Sequence, residues 1–407
     1  MKVYCLGGAG RICREAVYDL AESGEFDEIV VGDTDLTAAE EVVSEARRLI
    51  TETDGLLSGA DRTKVSAEYI DVHDTGTASE QMRGSDVVMD GTQISLNGLS
   101  TECIAKAGSN SVNLNGFGAE EAWHSVFRDN GKVCVAGFGM TPGVTQMMAM
   151  SAASKMDKVH EVYVSHGAFR PIAFSPSIAE TTRVEYDPGY PTRTVYEKGA
   201  FIHVPPFARP KEVTLPKPYG KTVQYIIPHS ETYTLAKALA AKGIRLIEVR
   251  GTWPHQNMDL IRGLYGYGIL SNPTVNVGGT EIGLMDIISD YLLSSDTGKT
   301  TTLYGYALHV EVKGKCEGND VRIVYTHTHP ASDGSVPGWE GLRAYTKNVG
   351  IPLAIAAILI ARGGMLPSQD TGENPTGVIT PEEAFEPKRV FKELKHRGIK
   401  VHKKYID

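Results

Sequence analysis

Gly8, Gly10 and Cys13, followed by Asp33, have the types and spacing to hold a dinucleotide. In the pattern G-x-G-x-x-G the first glycine makes a tight turn and the second lets the backbone approach a pyrophosphate. The third lets the following helix pack closely on its strand, and alanine is tolerated there. Cys13 stands in that third place and is only slightly larger than alanine, so the helix can ride further out and leave the phosphate site open. Ala9, Arg11 and Ile12 complete the loop, which offers its amides and a helix N-terminus to an anion. Asp33 follows Cys13 by 20 residues, at the end of the second strand-like run EIVVGD. A carboxylate there accepts from ribose hydroxyls and repels a 2′-phosphate, which favours NAD over NADP. Asp71 after the third run and Thr92 after the fourth are further cofactor contacts, at strand ends facing the crevice. Met140, Pro142 and Gly143 are expected to wall the nicotinamide, with Thr141 and the free amides of that turn holding a substrate carboxylate or amide.

Hydride transfer to a bound dinucleotide also needs a proton acceptor, and a substrate with a carboxylate needs a cation. Histidine titrates nearest working pH, and His255 and His166 are the leading candidates, with His229 beside them. Arg170 has the fork to clamp a carboxylate, with Arg183, Arg193, Arg209 and Arg250 as alternatives. Glu231 is placed to bind an amino group or to complement a helix dipole. His327 and His329 share a strand face, but no acid or cysteine lies at ligand spacing, so no metal is expected.

These residues need elements to hold them. Residues 1–140 alternate short apolar runs with helical patterns, as βαβ units around a doubly wound parallel sheet do. Strands are expected at 2–6, 28–33, 67–72, 85–92, 110–116 and 132–139. From 141 to 342 the texture changes to a second α/β domain with a mixed or antiparallel sheet. It includes a hairpin over 302–329 and a helix at 230–243 with Ser230 as its N-cap. Helices within 343–407 are expected to complete the first domain, and a Thr380/Glu383 capping pattern opens one of them.

The 407 residues are 41% hydrophobic and 22% charged, with a net charge of −9. That is the profile of a soluble globular protein, and it disfavours nucleic acid or anionic membrane as a partner. Five scattered cysteines without a C-x-x-C pair fit reduced thiols in the cytoplasm. Met1-Lys2 leads straight into a strand-like run, so no signal peptide is expected. The run IPLAIAAILIA reads as a buried helix.

Several stretches resemble the saccharopine dehydrogenase family of saccharopine reductases, lysine 6-dehydrogenases and carboxynorspermidine synthases. They are LGGAGRICREAVYDLAESGEFDEIVVGDTD, GSDVVMDGTQISLNGLSTECIAKAGSNSVNLNG, AGFGMTPGVTQMMA, VGIPLAIAAILIARGGML and FKELKHRGIKV. The resemblance implies a Rossmann domain completed by C-terminal helices, and a second domain carrying substrate and dimer contacts. It implies hydride transfer at a C–N bond, an amino acid or amine substrate, and a homodimer. Asp33 resembles the NAD-using lysine 6-dehydrogenases, and TWPHQNMDLIRGLYGYGIL is similar to their stretch holding a histidine, here His255. Asn113 stands where relatives often carry aspartate. Saccharopine-type reactions and lysine 6-dehydrogenation both remain open. A protein that only senses NAD, without turnover, is the alternative from another class.

Overall fold

The computed structural model describes residues 1–53, 63–116, 118–295, 303–368 and 372–406. The chain divides into two compact units, Met1–Met147 with Thr346–Arg397, and Met148–Tyr345 with Gly398–Asp407.

The first unit is the doubly wound sheet. Its strands are β1 (Lys2–Leu6), β2 (Glu28–Asp33), β3 (Lys64–Tyr69), β4 (Val87–Asp90), β5 (Asn110–Asn113), β6 (Val133–Val135) and, from the C-terminal segment, β17 (Gly377–Ile379). They run in the order β17-β6-β5-β4-β1-β2-β3, and every neighbouring pair is parallel. The order reverses between β1 and β4, and ligands bind at such a switch point beyond the carboxyl ends of the strands. Helices α1 (Cys13–Ser23), α2 (Leu36–Thr53), α3 (Thr75–Met82), α4 (Asn97–Ala107) and α5 (His124–Asp129) make the crossovers. Tyr4, Leu6, Val30, Val88 and Cys134 on the strands are buried in one core with Ala78, Met82 and Ile104 on the helices, as a sheet covered on both faces requires.

Four strands, β3 to β6, end earlier than their apolar runs suggest, because side chains capture the backbone just beyond them, as Asn113 Oδ1 does with Asn115 N at 3.1 Å after β5, or the chain turns. Thr92 N donates to Asp90 Oδ1 at 2.9 Å, which ends β4. Gly137, at φ +82°, donates to Asn113 Oδ1 at 2.9 Å, which turns the chain after β6. β3 stops at Tyr69, so Asp71 lies in the following turn and does not close the strand.

The second unit holds a nine-stranded mixed sheet. Its strands are β7 (Lys158–Phe169), β8 (Thr194–Glu197), β9 (Ala200–His203), β10 (Lys211–Leu215), β11 (Gly220–Ile226), β12 (Leu246–Thr252), β15 (Gly305–Cys316), β16 (Asn319–Thr328) and β18 (Lys400–Ile406). A separate hairpin joins β13 (Thr274–Val277) to β14 (Thr280–Gly283). The main order is β10-β11-β12-β7-β15-β16-β18, and only β12 and β7 are parallel. The expected hairpin is β15–β16, turning through Glu317 and Gly318, both at positive φ; position 302 of that reading lies outside the described residues.

Helices α6 (Val144–Ala153), α7 (Pro176–Tyr186), α8 (Glu231–Ala238), α9 (His255–Gly266), α10 (Leu284–Ser294), α11 (Arg343–Ala361), α12 (Pro381–Ala384) and α13 (Pro387–His396) complete the list. The division between units falls within α6 and within α11. The segment 343–407 is therefore shared: α12, α13 and β17 belong to the first unit, whereas β18 adds to the second sheet. α11 has the length and apolar composition of a membrane span, but 83% of its most apolar window is buried inside the protein. The Thr380/Glu383 capping box forms. Ser230 is itself helical and makes no side-chain cap.

Candidate active site

The glycine loop is built by contacts that exclude side chains. A Cβ on Gly8 would lie 2.7 Å from the Cys5 carbonyl oxygen and 2.8 Å from Val31 Cγ1. Gly8 N donates to Gly32 O and Gly10 N to Gly7 O, at 3.1 and 3.0 Å, which ties the turn to β2 and closes it on itself. Arg14 folds back onto the Ala9 carbonyl through Nη2 at 2.6 Å. Asp33 then joins the acid to the loop, because its Oδ2 accepts from Ala9 N at 3.1 Å while Oδ1 accepts from Asp35 N at 3.1 Å. Gly8, Ala9, Gly10 and Asp33 are thus one hydrogen-bonded constellation. Arg11 is exposed on the loop and Ile12 half-buried, and α1 starts only at Cys13.

The missing third glycine is compensated from across the sheet. Cys13 is buried at the start of α1, and a Cβ on Gly91 would lie 2.7 Å from its Sγ and 2.8 Å from its Cβ. The space that a glycine at 13 would leave is supplied by the glycine after β4. Gly91→Ala should therefore destabilise the protein by about 1–3 kcal/mol, the usual cost of overpacking. The double variant Cys13→Gly/Gly91→Ala should recover part of that loss in denaturant melts, and additive losses would show that the two positions do not share one space.

Beyond β4, β5 and β6 a buried polar network fixes the crevice loops. Ser100 Oγ donates to Asp90 Oδ2 at 2.6 Å, and Thr92 Oγ1 reaches Ser100 Oγ at 3.3 Å. Burial pushes the Asp90 carboxyl up, opposed by its bonds from Ser100 and Thr92. Asn113 donates to Glu120 Oε1 at 2.8 Å, and Glu120 also accepts from Gly116 N and Gly118 N. Thr92 therefore stands at the switch point as expected of a strand-end residue. Asp71 is partly exposed, and hydrogen bonds from the His73 backbone and ring hold its carboxyl below the usual range.

The Pro-Gly turn differs from the sequence reading. Met140 is fully buried, and the Thr141–Pro142 bond is cis. Gly143, at φ +118°, gives its amide to the Gln146 side chain; Val144 N and Thr145 N donate to Gly139 O and Met140 O, at 3.0 and 3.2 Å. The amides expected to hold a substrate are taken by the loop's own acceptors.

In the second unit, a set of charged and polar side chains is buried at one end of the sheet. His166 on β7 is opposite Gly251 on β12, and the neighbouring Ala168 is opposite Tyr306 on β15. His166 Nδ1 lies 3.1 Å from the Tyr306 hydroxyl, and the two rings stack at 5.5 Å. His229, just before α8, has its ring centre 5.5 Å from that of His166. His229 Nδ1 lies 3.4 Å from Glu231 Oε2, and Nε2 lies 3.8 Å from Glu185 Oε1. Burial opposes charge on His229, but Glu231 and then Glu185 outweigh it and push the ring up to about 10. Burial, and then the His229 charge, take His166 down to about 3. Glu231 is fully buried against His229, so its carboxylate already faces one cation.

Arg170 is buried too, under the rings of Trp253 and Tyr345 at 5.5 and 5.6 Å. Its Nη1 donates to Pro171 O and Ile172 O at 2.9 and 3.0 Å, and Nη2 reaches Thr182 Oγ1 at 3.3 Å. These bonds use most of the fork expected to clamp a carboxylate and brace the chain after β7. Arg209 and Arg250 both pair with Glu248, and Arg183 lies 3.7 Å from Asp187. Arg193 is fully buried, with Nη2 on the Glu185 and Asp187 carbonyls and no hydrogen-bond partner for Nε or Nη1 among the described residues.

His255 is placed differently from His166. It opens α9 with 87% of its side chain exposed and Nδ1 3.0 Å from Asp259 Oδ2. His327 Nδ1 accepts from Leu308 N at 3.2 Å, while His329 Nε2 lies 2.8 Å from the Tyr219 hydroxyl. Among the described residues no group of three or more His, Cys, Asp or Glu has metal-binding geometry.

The sequence reading missed Glu185 and Tyr306. Glu185 sits between Val184 and Tyr186 in α7, which Ser175 caps and Pro176 opens, within a Pro- and Thr-rich stretch that reads as strands and loops. The signal available was that Ser-Pro start, followed by an acid inside an apolar helical face.

Comparison with known proteins agrees with this architecture. A family model described as the saccharopine dehydrogenase NADP binding domain matches residues 3–135, and one described as the saccharopine dehydrogenase C-terminal domain matches residues 139–399. Apo histidine-tagged saccharopine dehydrogenase (L-Glu forming) from Saccharomyces cerevisiae is similar in fold, with 14% identity, a TM-score of 0.68 and full coverage of both chains. A probable dehydrogenase from Thermotoga maritima aligns at 10% identity and TM-score 0.43, and the C. glutamicum DAP dehydrogenase in complex with DAP at 11% and 0.41, each over 98% of both chains. With matched models across nearly the whole chain and a glycine loop at the sheet's switch point, this chain belongs to the saccharopine dehydrogenase family, as an oxidoreductase that binds a nicotinamide dinucleotide.

Proposed function

We propose that the chain is an NAD-dependent dehydrogenase acting on a C–N bond of an amino acid or amine. The observation that carries the coenzyme assignment is the Asp33 carboxylate at the end of β2, bonded to Ala9 N of the glycine loop. A negative charge fixed there accepts from ribose hydroxyls and opposes a 2′-phosphate. The matched family model is described by NADP binding, and Asp33 is what argues for the unphosphorylated coenzyme here. The loop fits the group, since it is a tight glycine turn that leads straight into the start of α1, which favours an anion. The amides of Gly8, Ala9 and Gly10 shape the loop from within, so Arg11 and Ile12 just ahead of α1 would hold the pyrophosphate, and Asp33 the ribose. Bound there, the nicotinamide supplies the hydride acceptor for oxidation of the carbon that bears the nitrogen.

The chain's own residues supply the acid–base part. An ammonium must lose its proton before the carbon–nitrogen bond is oxidised, and His166, buried and neutral, is the acceptor in this reading. Its low basicity trades driving force for constant availability. Glu185 and Glu231 are engaged with His229, so the two carboxylates of this cluster face an internal cation, and Arg193 retains donors for a substrate carboxylate.

The test is near-ultraviolet absorbance of reduced nicotinamide, with NAD or NADP and a panel of lysine, saccharopine and simple diamines. Reduction of NAD by one of these amines is the expected result. Binding of NAD with no turnover across the panel would overturn the reading in favour of a protein that only senses the dinucleotide.

A further inference from the structure

The two buried histidines of the second unit differ in what surrounds them. Carboxylates approach His229 at both ring nitrogens, Glu231 at 3.4 Å and Glu185 at 3.8 Å. Around His166 the hydrogen-bonding group is a phenol instead: its Nδ1 meets the Tyr306 hydroxyl, and Nε2 has no hydrogen-bond partner among the described residues. The room for the His166 ring comes from Gly251, where a Cβ would lie 2.5 Å from His166 Nε2. The remaining charge near His166 is the guanidinium of Arg170, which also disfavours a second positive charge, while Glu231 acts the other way. Tyr306 and, stacked on it at 5.5 Å, Tyr345 are held as neutral phenols by burial.

We propose that Glu185, His229 and Glu231 form a charged triad that acts as the positioning group for His166: the imidazolium held between two carboxylates stands beside the His166 ring and adds to burial in keeping it neutral, with Nε2 left without a hydrogen-bond partner among the described residues. Two rings whose centres are 5.5 Å apart in a buried site cannot both carry charge cheaply. The carboxylates decide which one does, because both belong to His229. The pair divides the charge, with one histidine fixed as a cation and the other fixed as a neutral ring. Its place in turnover rests on the reading of His166 as the proton acceptor, whereas the charge division is a property of the resting protein.

The direct test is NMR of the full chain labelled at histidine, titrated across about pH 5 to 8, where unperturbed histidines change charge. His166 should stay neutral and His229 should stay protonated throughout. In Glu231→Gln, which keeps the shape but removes the nearer carboxylate, the His229 midpoint should fall, while His166 should stay neutral wherever His229 is charged. In His229→Gln, the His166 midpoint should rise from its wild-type position while burial and Arg170 still hold it down, and the acid limb of kcat/KM should move up with it if the amine dehydrogenase reading holds. A wild-type His166 that titrates within this window would overturn the proposal. So would a folded Glu231→Gln protein in which both rings behave as in wild type. Should His229→Gln fail to fold, the wild-type and Glu231→Gln titrations decide alone. Loss of the dehydrogenase reading would show as absent turnover with these titrations unchanged, so the two failures are separable.

Discussion

Asp33→Ala should weaken NADH binding by about 10- to 100-fold, the equivalent of losing hydrogen bonds to a charged group. Two effects combine in that loss. The ribose loses its acceptor, and Ala9 N loses the carboxylate that holds the loop, 3.1 Å away in the folded protein. Asp33→Asn separates them. The amide oxygen can still accept from Ala9 N, so the loop should persist, but the charge that opposes a 2′-phosphate is gone. The Asp33→Asn variant should therefore narrow the preference between NADH and NADPH, whereas the Asp33→Ala variant should bind both poorly. Coenzyme fluorescence titrations check this, and an unchanged preference in Asp33→Asn would mean that some other group sets it.

Gly8→Ala should cost more than any other single change in the loop, lowering dinucleotide affinity by more than about 100-fold and stability by about 1–3 kcal/mol. The obstacle is backbone: the Cys5 carbonyl, 2.7 Å from the added carbon, belongs to a strand paired on both sides, by β2 and β4. Neither partner lets it move alone. Gly10 makes the control, because a Cβ there meets only the Gly7 carbonyl oxygen, at 3.1 Å. Gly10→Ala should therefore leave melting nearly unchanged and show its cost only when dinucleotide is added. Equal melting losses in the two variants would contradict this account of the loop.

The glycine loop was legible because everything it needs lies close in sequence: a strand, two glycines, a helix, and an acid at the next strand end. What Cys13 would do there was only half legible. The compensating Gly91 follows β4, and nothing in the local pattern announces that a glycine after one strand makes room for a helix after another. The doubly wound sheet could be read from its alternating runs, but β17 has only three residues and arrives from the far end of the chain. The closing strand β18 carries three lysines in seven residues, which hides its membership of a sheet.

The second unit was harder for a related reason. Single histidines carry no spacing signal, so His255, His166 and His229 looked alike in the sequence. The fold distinguishes them by burial and by neighbours contributed from α7, α8 and β15. His255 lies at an exposed helix start beside Asp259, while His166 and His229 are enclosed together. The free amides expected after Pro142 failed to appear because Gln146, one turn into the chain, reaches back to Gly143.

The most direct measurement is equilibrium binding of NADH and NADPH to the wild-type chain, by fluorescence titration under identical salt. The account predicts that NADH binds at least about 10-fold more tightly, since one lost or repelled charge contact is worth roughly that factor. Tighter binding of NADPH would contradict it and would show that Asp33 does not govern the choice of coenzyme.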